Sequence, residues 1–191
     1  MRGTDITIEI SKEYKASLVP FPRGTLEQLD LPKETFEFLT EAGFPLHAGY
    51  EITPNAPLTF LSTPVIKQYP YLQCKYLQIG SLDMMGELVI NLYSQSVQQI
   101  QIINENGYET SMFYLVNYSV SQFIDCLGLW LSFYQPFRDE VARKVAVDPA
   151  FSLFEHEEMY EPILKKLKKV DPKSMRERKF FWRRMCEPDI V

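Results

Sequence analysis

Between residues 76 and 130 the apolar side chains recur first at every second position and then at every third or fourth. That switch of period limits this part of the chain to strands followed by a helix. Residues 76–79 form an apolar run, and Gly86 opens a second in which Leu88, Ile90 and Leu92 alternate with Val89, Asn91 and Tyr93. In a third run, residues 97–103, Ile100 and Ile102 lie on the face opposite Gln99 and Gln101. Asn104-Glu105-Asn106-Gly107 follows, and its Asn-Gly pair is a strong signal for a tight hairpin because both residues tolerate positive φ. A fourth run alternates Ser111, Phe113 and Leu115 with Met112, Tyr114 and Val116, closing a meander around residues 76–116. Ser119 with Gln122 three residues on reads as a capping box, with Tyr118 placed to pack on Phe123 as a hydrophobic staple. Val120, Phe123, Ile124, Leu127 and Leu131 then form one apolar stripe, which predicts a helix laid on one face of the sheet.

The flanking chain is less regular. Residues 6–10 alternate as a short strand would, and residues 11–14 could equally begin a helix. Leu31-Pro32 starts a helix of three turns at most, with Pro32 at the first helical position, Phe36 and Leu39 inward, Glu34, Glu37 and Glu41 outward, and Gly43 with Pro45 at its end. Five prolines among residues 44–70 predict an irregular segment with one strand at most. Pro136 is expected to stop or kink the Ser119 helix, with a shorter helix over residues 137–147. Pro162 marks a break or a fresh helix start, and Asp171-Pro172 is expected to open a last helix carrying Phe180, Phe181 and Trp182.

At 191 residues and 46 % hydrophobic content the chain suits one domain, residues 1–191, with a basic helical extension over about residues 150–191. The amino-terminal residues, carrying Arg2, Asp5 and Glu9, are not expected to form a leader, and no apolar run reaches the ~20 residues of a membrane span. A cytoplasmic protein is expected. Cys74, Cys126 and Cys186 are too scattered for a disulfide framework and read as reduced thiols. The net charge of −5 is uneven: residues 165–184 hold ten basic side chains against Asp171 and Glu177, a local +8 that leaves −13 elsewhere.

Catalytic constellations do not assemble in this sequence. His47 and His156 are isolated from each other and from the cysteines, so no zinc set forms. The eight glycines show neither GxGxxG nor GxxxxGK spacing, and no serine lies in a GxSxG context. Cys126, inside the helical stripe, reads as a core thiol, and Glu157-Glu158 as solvated neighbours. The chain is therefore expected to bind rather than catalyse, without cofactor or metal. Two binding modes of opposite sign are open. The basic run with Phe180, Phe181 and Trp182 could neutralise phosphates and stack on bases, or it could be an amphipathic tail with buried aromatics and a solvated basic face. The acidic remainder, with Glu51, Asp83, Glu87, Glu105 and Glu109 around the sheet loops, would attract a cationic protein.

Three stretches carry a family resemblance. They are Leu31-Pro32-Lys33-Glu34-Thr35-Phe36 through Gly43-Phe44-Pro45, then Leu77-Gln78-Ile79-Gly80, and Asn117-Tyr118-Ser119-Val120-Ser121-Gln122-Phe123. With Val170-Asp171-Pro172 and Phe181-Trp182 they resemble the SUKH superfamily, the last two resembling the tail of its fourth family, over about residues 31–182. Residues 81–87 depart from the pattern, being Met-rich where the family often has a small polar loop, and the first thirty residues match no part of it. The resemblance implies an α+β fold with a twisted antiparallel sheet and packed helices. It also implies a bacterial immunity protein that binds and blocks a cognate polymorphic toxin, commonly a nuclease or deaminase, without catalysis. On that reading Asp83, Glu87, Glu105 and Glu109 are the expected partner-binding residues; a nucleic-acid-associated regulator using the basic tail is the alternative.

Overall fold

The meander makes up four strands of a larger antiparallel sheet. The structure, a computed structural model, describes residues 8–46, 50–53, 57–70, 72–83, 85–105 and 108–186. Its strands are β1 (Leu18–Val19), β2 (Phe44–Pro45), β3 (Tyr50–Glu51), β4 (Pro57–Lys67), β5 (Tyr76–Leu82), β6 (Gly86–Asn91), β7 (Val97–Glu105) and β8 (Tyr108–Asn117). The last six form one sheet in the order β3-β4-β5-β6-β7-β8, while β1 and β2 pair separately. With the helices packed on it, this is the α+β architecture the resemblance implies.

The eleven-residue β4 is more strand than the proline-rich stretch predicted. Its prolines sit where a strand tolerates them. Pro57 is the first residue, and Pro64 lies in the register shift between Phe60 and Val65. The hairpin expected at residues 104–107 is consistent with the pairing of Glu105 with Tyr108; the Asn106-Gly107 pair itself, like His47, lies outside the described residues.

Strand register separates two faces. Leu58 opposes Leu82, Leu88 opposes Gly80, and Leu77 and Val97 flank Ile90, so these side chains share the face that forms the main core. The helix α4 (Val120–Val147) lies in that core with Val120, Phe123, Ile124, Leu127, Trp130, Phe133 and Phe137 buried, and Phe123 meets Phe60 of β4 at a centroid distance of 6.2 Å. Burying each such side chain is worth about 1.5–3 kcal/mol. On the opposite face Tyr76, Val89 and Ile100 form a smaller cluster beneath Tyr69.

α4 runs unbroken through Pro136 for 28 residues. The proline ring is exposed, while Phe133, Tyr134 and Phe137 around it are buried, with Phe133 and Phe137 centroids 4.9 Å apart and Phe137 4.7 Å from Tyr160. Aromatic packing on both sides holds the helix together across the missing N–H. At its start, Ser119 accepts a hydrogen bond from the Gln122 N–H at 3.2 Å. Only half of the capping box forms, because Gln122 Nε2 donates to the Val170 carbonyl. Tyr118 is 44 % exposed and lies under Lys173 Nζ.

The amino-terminal ambiguity resolves as helix. Ser11 caps α1 (Lys12–Ala16), whose Tyr14 donates to the Ile124 carbonyl of α4 at 2.8 Å. Gly128 makes room for this contact, since a Cβ there would lie 2.7 Å from the Tyr14 ring. After α2 (Arg23–Leu26) and a 3-10 turn, α3 (Lys33–Glu41) begins one residue later than expected, with Pro32 as its N-cap. It ends at Gly43, whose φ of 74° suits glycine, and a Cβ at that site would fall 1.8 Å from the Val19 carbonyl oxygen.

Two 3-10 turns lead into α5 (Glu161–Val170), and α6 is Phe181–Met185. Pro162 does start a helix, but Asp171-Pro172 does not. Asp171 is 1 % exposed, and its carboxylate accepts from Asn117 Nδ2 at 3.1 Å, the Tyr118 N–H at 3.0 Å and the Ser174 N–H at 3.2 Å. Asn117 Oδ1 in turn accepts from Trp182 Nε1 at 2.8 Å. A carboxylate so engaged ties the last segment to the end of β8, and a turn replaces the first part of the expected helix.

Candidate partner-binding surface

In the sheet β6 stops short of its neighbours. Glu87 pairs with Ile100 as the last rung of the β6–β7 ladder, whereas β7 and β8 pair with each other as far as Glu105 and Tyr108. Residues 101–105 and 108–112 therefore project as a two-stranded arm about 16 Å beyond β6, at ~3.3 Å per residue. The turn between β5 and β6 lies at the same end of the meander, because alternate turns of an antiparallel sheet share an end.

The four expected residues all lie at this end, in three different settings. Asp83 is exposed in the β5–β6 turn, its N–H bonded to the Pro57 carbonyl at 3.2 Å. Glu109 is exposed on the arm opposite Asn104, and Glu105, described for its backbone alone, closes the β7 side of the arm. Glu87 is different, because its carboxylate accepts from Lys67 Nζ at 2.5 Å and from the Tyr69 hydroxyl. Burial and this bond hold the Tyr69 phenol above its ordinary value, so it remains a donor. Glu87 thus spends its charge inside the sheet's outer face and fixes the loop that covers Val89 and Ile100. Asp83 and Glu109 stand exposed on the rim.

Sequence reasoning missed the apolar content of the arm. Ile102 and Phe113 are 46 % and 59 % exposed on the outer face, and Met112 is 42 % exposed on the inner face. A single helical stripe can cover one sheet face only, and that was the available signal. Strand alternation by itself does not say which face is left open.

The other candidate groups are accounted for locally. Burial pushes the Cys126 thiol up to about 12, against the opposing effect of its hydrogen bond from Asn117, so it is a neutral core thiol. His156 pairs with Glu158 at 3.0 Å and stacks on Phe151. Phe181 and Trp182 are 3 % and 0 % exposed, which removes them as platforms for bases, while Lys165, Lys166, Lys168 and Lys169 lie on the solvated face of α5. An apolar crevice of about 230 Å³ is lined by Trp130, Phe137, Val141, Leu153 and Tyr160, and its one cation, Arg138, is paired with Glu51. Among the described residues no group of three or more His, Cys, Asp or Glu could hold a metal ion, and no helix is long and apolar enough to cross a membrane.

Comparison with known proteins adds the family. No curated protein and no solved structure matches the chain. The family model described as SUKH-4 immunity protein matches residues 4–188, including most of the first thirty residues, whose motifs matched nothing firmly. With its sheet, its helical packing and nearly its whole length accounted for, the chain belongs to the SUKH-4 immunity protein family.

Proposed function

We propose that this protein neutralises a cationic bacterial toxin of the nuclease or deaminase kind by covering its active cleft in the cytoplasm, without catalysis. The observation that carries the reading is the charge of the projecting end of the sheet. Asp83, Glu105 and Glu109 lie there, β7 and β8 contain no lysine or arginine, and residues outside 165–184 sum to −13. A toxin that acts on nucleic acid needs a positive cleft, and an acidic surface accelerates its encounter with such a partner while repelling nucleic acid. Glu87 supports the surface by holding Lys67 and Tyr69 in place.

The test is the association rate with the toxin encoded beside this chain's gene, measured at two salt concentrations. Reversal of Asp83, Glu105 and Glu109 to lysine is expected to slow association by about tenfold or more at low salt and to flatten its salt dependence. An unchanged rate for the triple variant contradicts the charge-guided encounter.

A further inference from the structure

We infer that the free edge of β8, over residues 108–113, receives an extended strand from the toxin, which joins the sheet as a seventh strand. The inference rests on the function proposed above and adds how the partner is held.

Among the described residues β8 is the outermost strand and pairs with β7 alone. Natural sheets blunt such edges with lysine, proline, a bulge or brevity, because a row of unpaired N–H and C=O groups pairs with any suitable chain. The opposite edge follows this rule, as β3 is two residues long and the rest of β4 beyond it carries a register shift, Pro64 and Lys67. β8 does not. It has ten residues, no proline and no basic side chain, and its register with β7 is regular from Leu115 to Tyr108. Glu109, Thr110, Met112 and Phe113 are exposed, two on each sheet face, while the Ser111 hydroxyl between them is buried. The base of the strand is different, since Arg184 lies over the Tyr114 ring and Asn117 is fully buried, which confines the open edge to residues 108–113.

The arm also has what a docked strand uses for selectivity. Alternate side chains of an added strand would meet Phe113 on one face and Met112 on the other. The one charge within residues 108–113 is Glu109, with Asp83 at the neighbouring turn, so a cationic segment gains attraction there and comes near a like charge, Arg184, at the strand's base. A second copy of the chain fits less well, because it would bring together two bodies of the same negative sign.

The experiment uses the full chain and the adjoining toxin as a purified, catalytically dead protein, with amide hydrogen exchange read by peptide mass. Residues 108–113 are expected to exchange about tenfold or more slowly in the complex, which is the signature of newly bonded edge amides. The double substitution Met112→Lys and Phe113→Lys, at exposed positions that leave the core intact, is expected to weaken toxin binding by about a hundredfold or more with an unchanged urea midpoint. Tight binding with unchanged exchange over residues 108–113 overturns the inference and leaves the proposed function standing. Absence of binding by the unaltered chain removes both. Concentration-dependent protection of the same residues without toxin assigns the edge to a second copy and also overturns it.

Discussion

Asp171 shows how much of this fold hangs on single polar side chains. Its buried carboxylate accepts three hydrogen bonds, two of them from the residues that join β8 to α4, and Asn117 passes the connection on to Trp182. Removing the carboxylate takes the acceptor from all three donors and leaves Asn117 Nδ2 only its bond to Cys126 Sγ. Asp171→Ala is therefore expected to cost about 3–5 kcal/mol in urea unfolding, since each orphaned buried donor costs roughly 1–3 kcal/mol and relaxation recovers part. A loss below about 1 kcal/mol would show that water replaces the carboxylate. Buried acids make a second prediction. Burial raises the Cys126 thiol and the Tyr134 phenol to about 12, from ordinary values of 9.0 and 10.0, and moves Tyr14, Tyr69 and Tyr160 in the same direction. The folded state holds each as the neutral acid, so their contribution is complete below the ordinary values and is lost as pH rises past them. Stability is expected to decline steadily above about pH 9, and Cys74, half-exposed, to be the one thiol alkylated in the folded protein at neutral pH. Reaction of Cys126 without unfolding would contradict this.

Among the elements, α4 gives the sharpest test of local rule against packing. An interior proline is about 3 kcal/mol less favourable than alanine in a helix, yet the helix continues because Phe133, Tyr134 and Phe137 are buried around it. Since the Pro136 ring is exposed, Pro136→Ala restores a backbone bond without opening the core. The substitution is expected to stabilise by about 1–3 kcal/mol, seen as a higher unfolding midpoint; a lower midpoint would mean that the kink itself is needed for packing. The same comparison explains what could be read from the sequence. Strands β5 to β8 and the start of α4 were legible because alternation, the Asn-Gly pair and the Ser119 cap are local signals. β4 was hidden by Pro57 and Pro64, whose harmlessness depends on the register with β5. The projecting arm was hidden too, because the length of β7 relative to β6 is a matter of pairing and leaves no mark on either strand alone.

At the scale of the whole molecule, charge is sorted by place. The basic side chains of residues 165–170 lie on the solvated face of α5 while Ile163, Leu167, Phe181 and Trp182 fill the core, so the carboxy-terminal segment is a structural buttress of the sheet. The tail's aromatics had left two sequence readings open, and only their burial chooses between them. Of the expected partner-binding residues, all four positions came out at one end of the sheet, but the engagement of Glu87 by Lys67 and Tyr69 was not legible, because neither partner is near it in sequence. Family membership implies a toxin partner, and the acidic end of the sheet is the surface we propose for it. The most direct measurement of that account is an inhibition titration of the cognate toxin. If the chain acts by tight coverage alone, toxin activity falls linearly and vanishes at about one equivalent of chain. Full activity at excess chain, or full inhibition at a small fraction of an equivalent, as turnover would give, contradicts it.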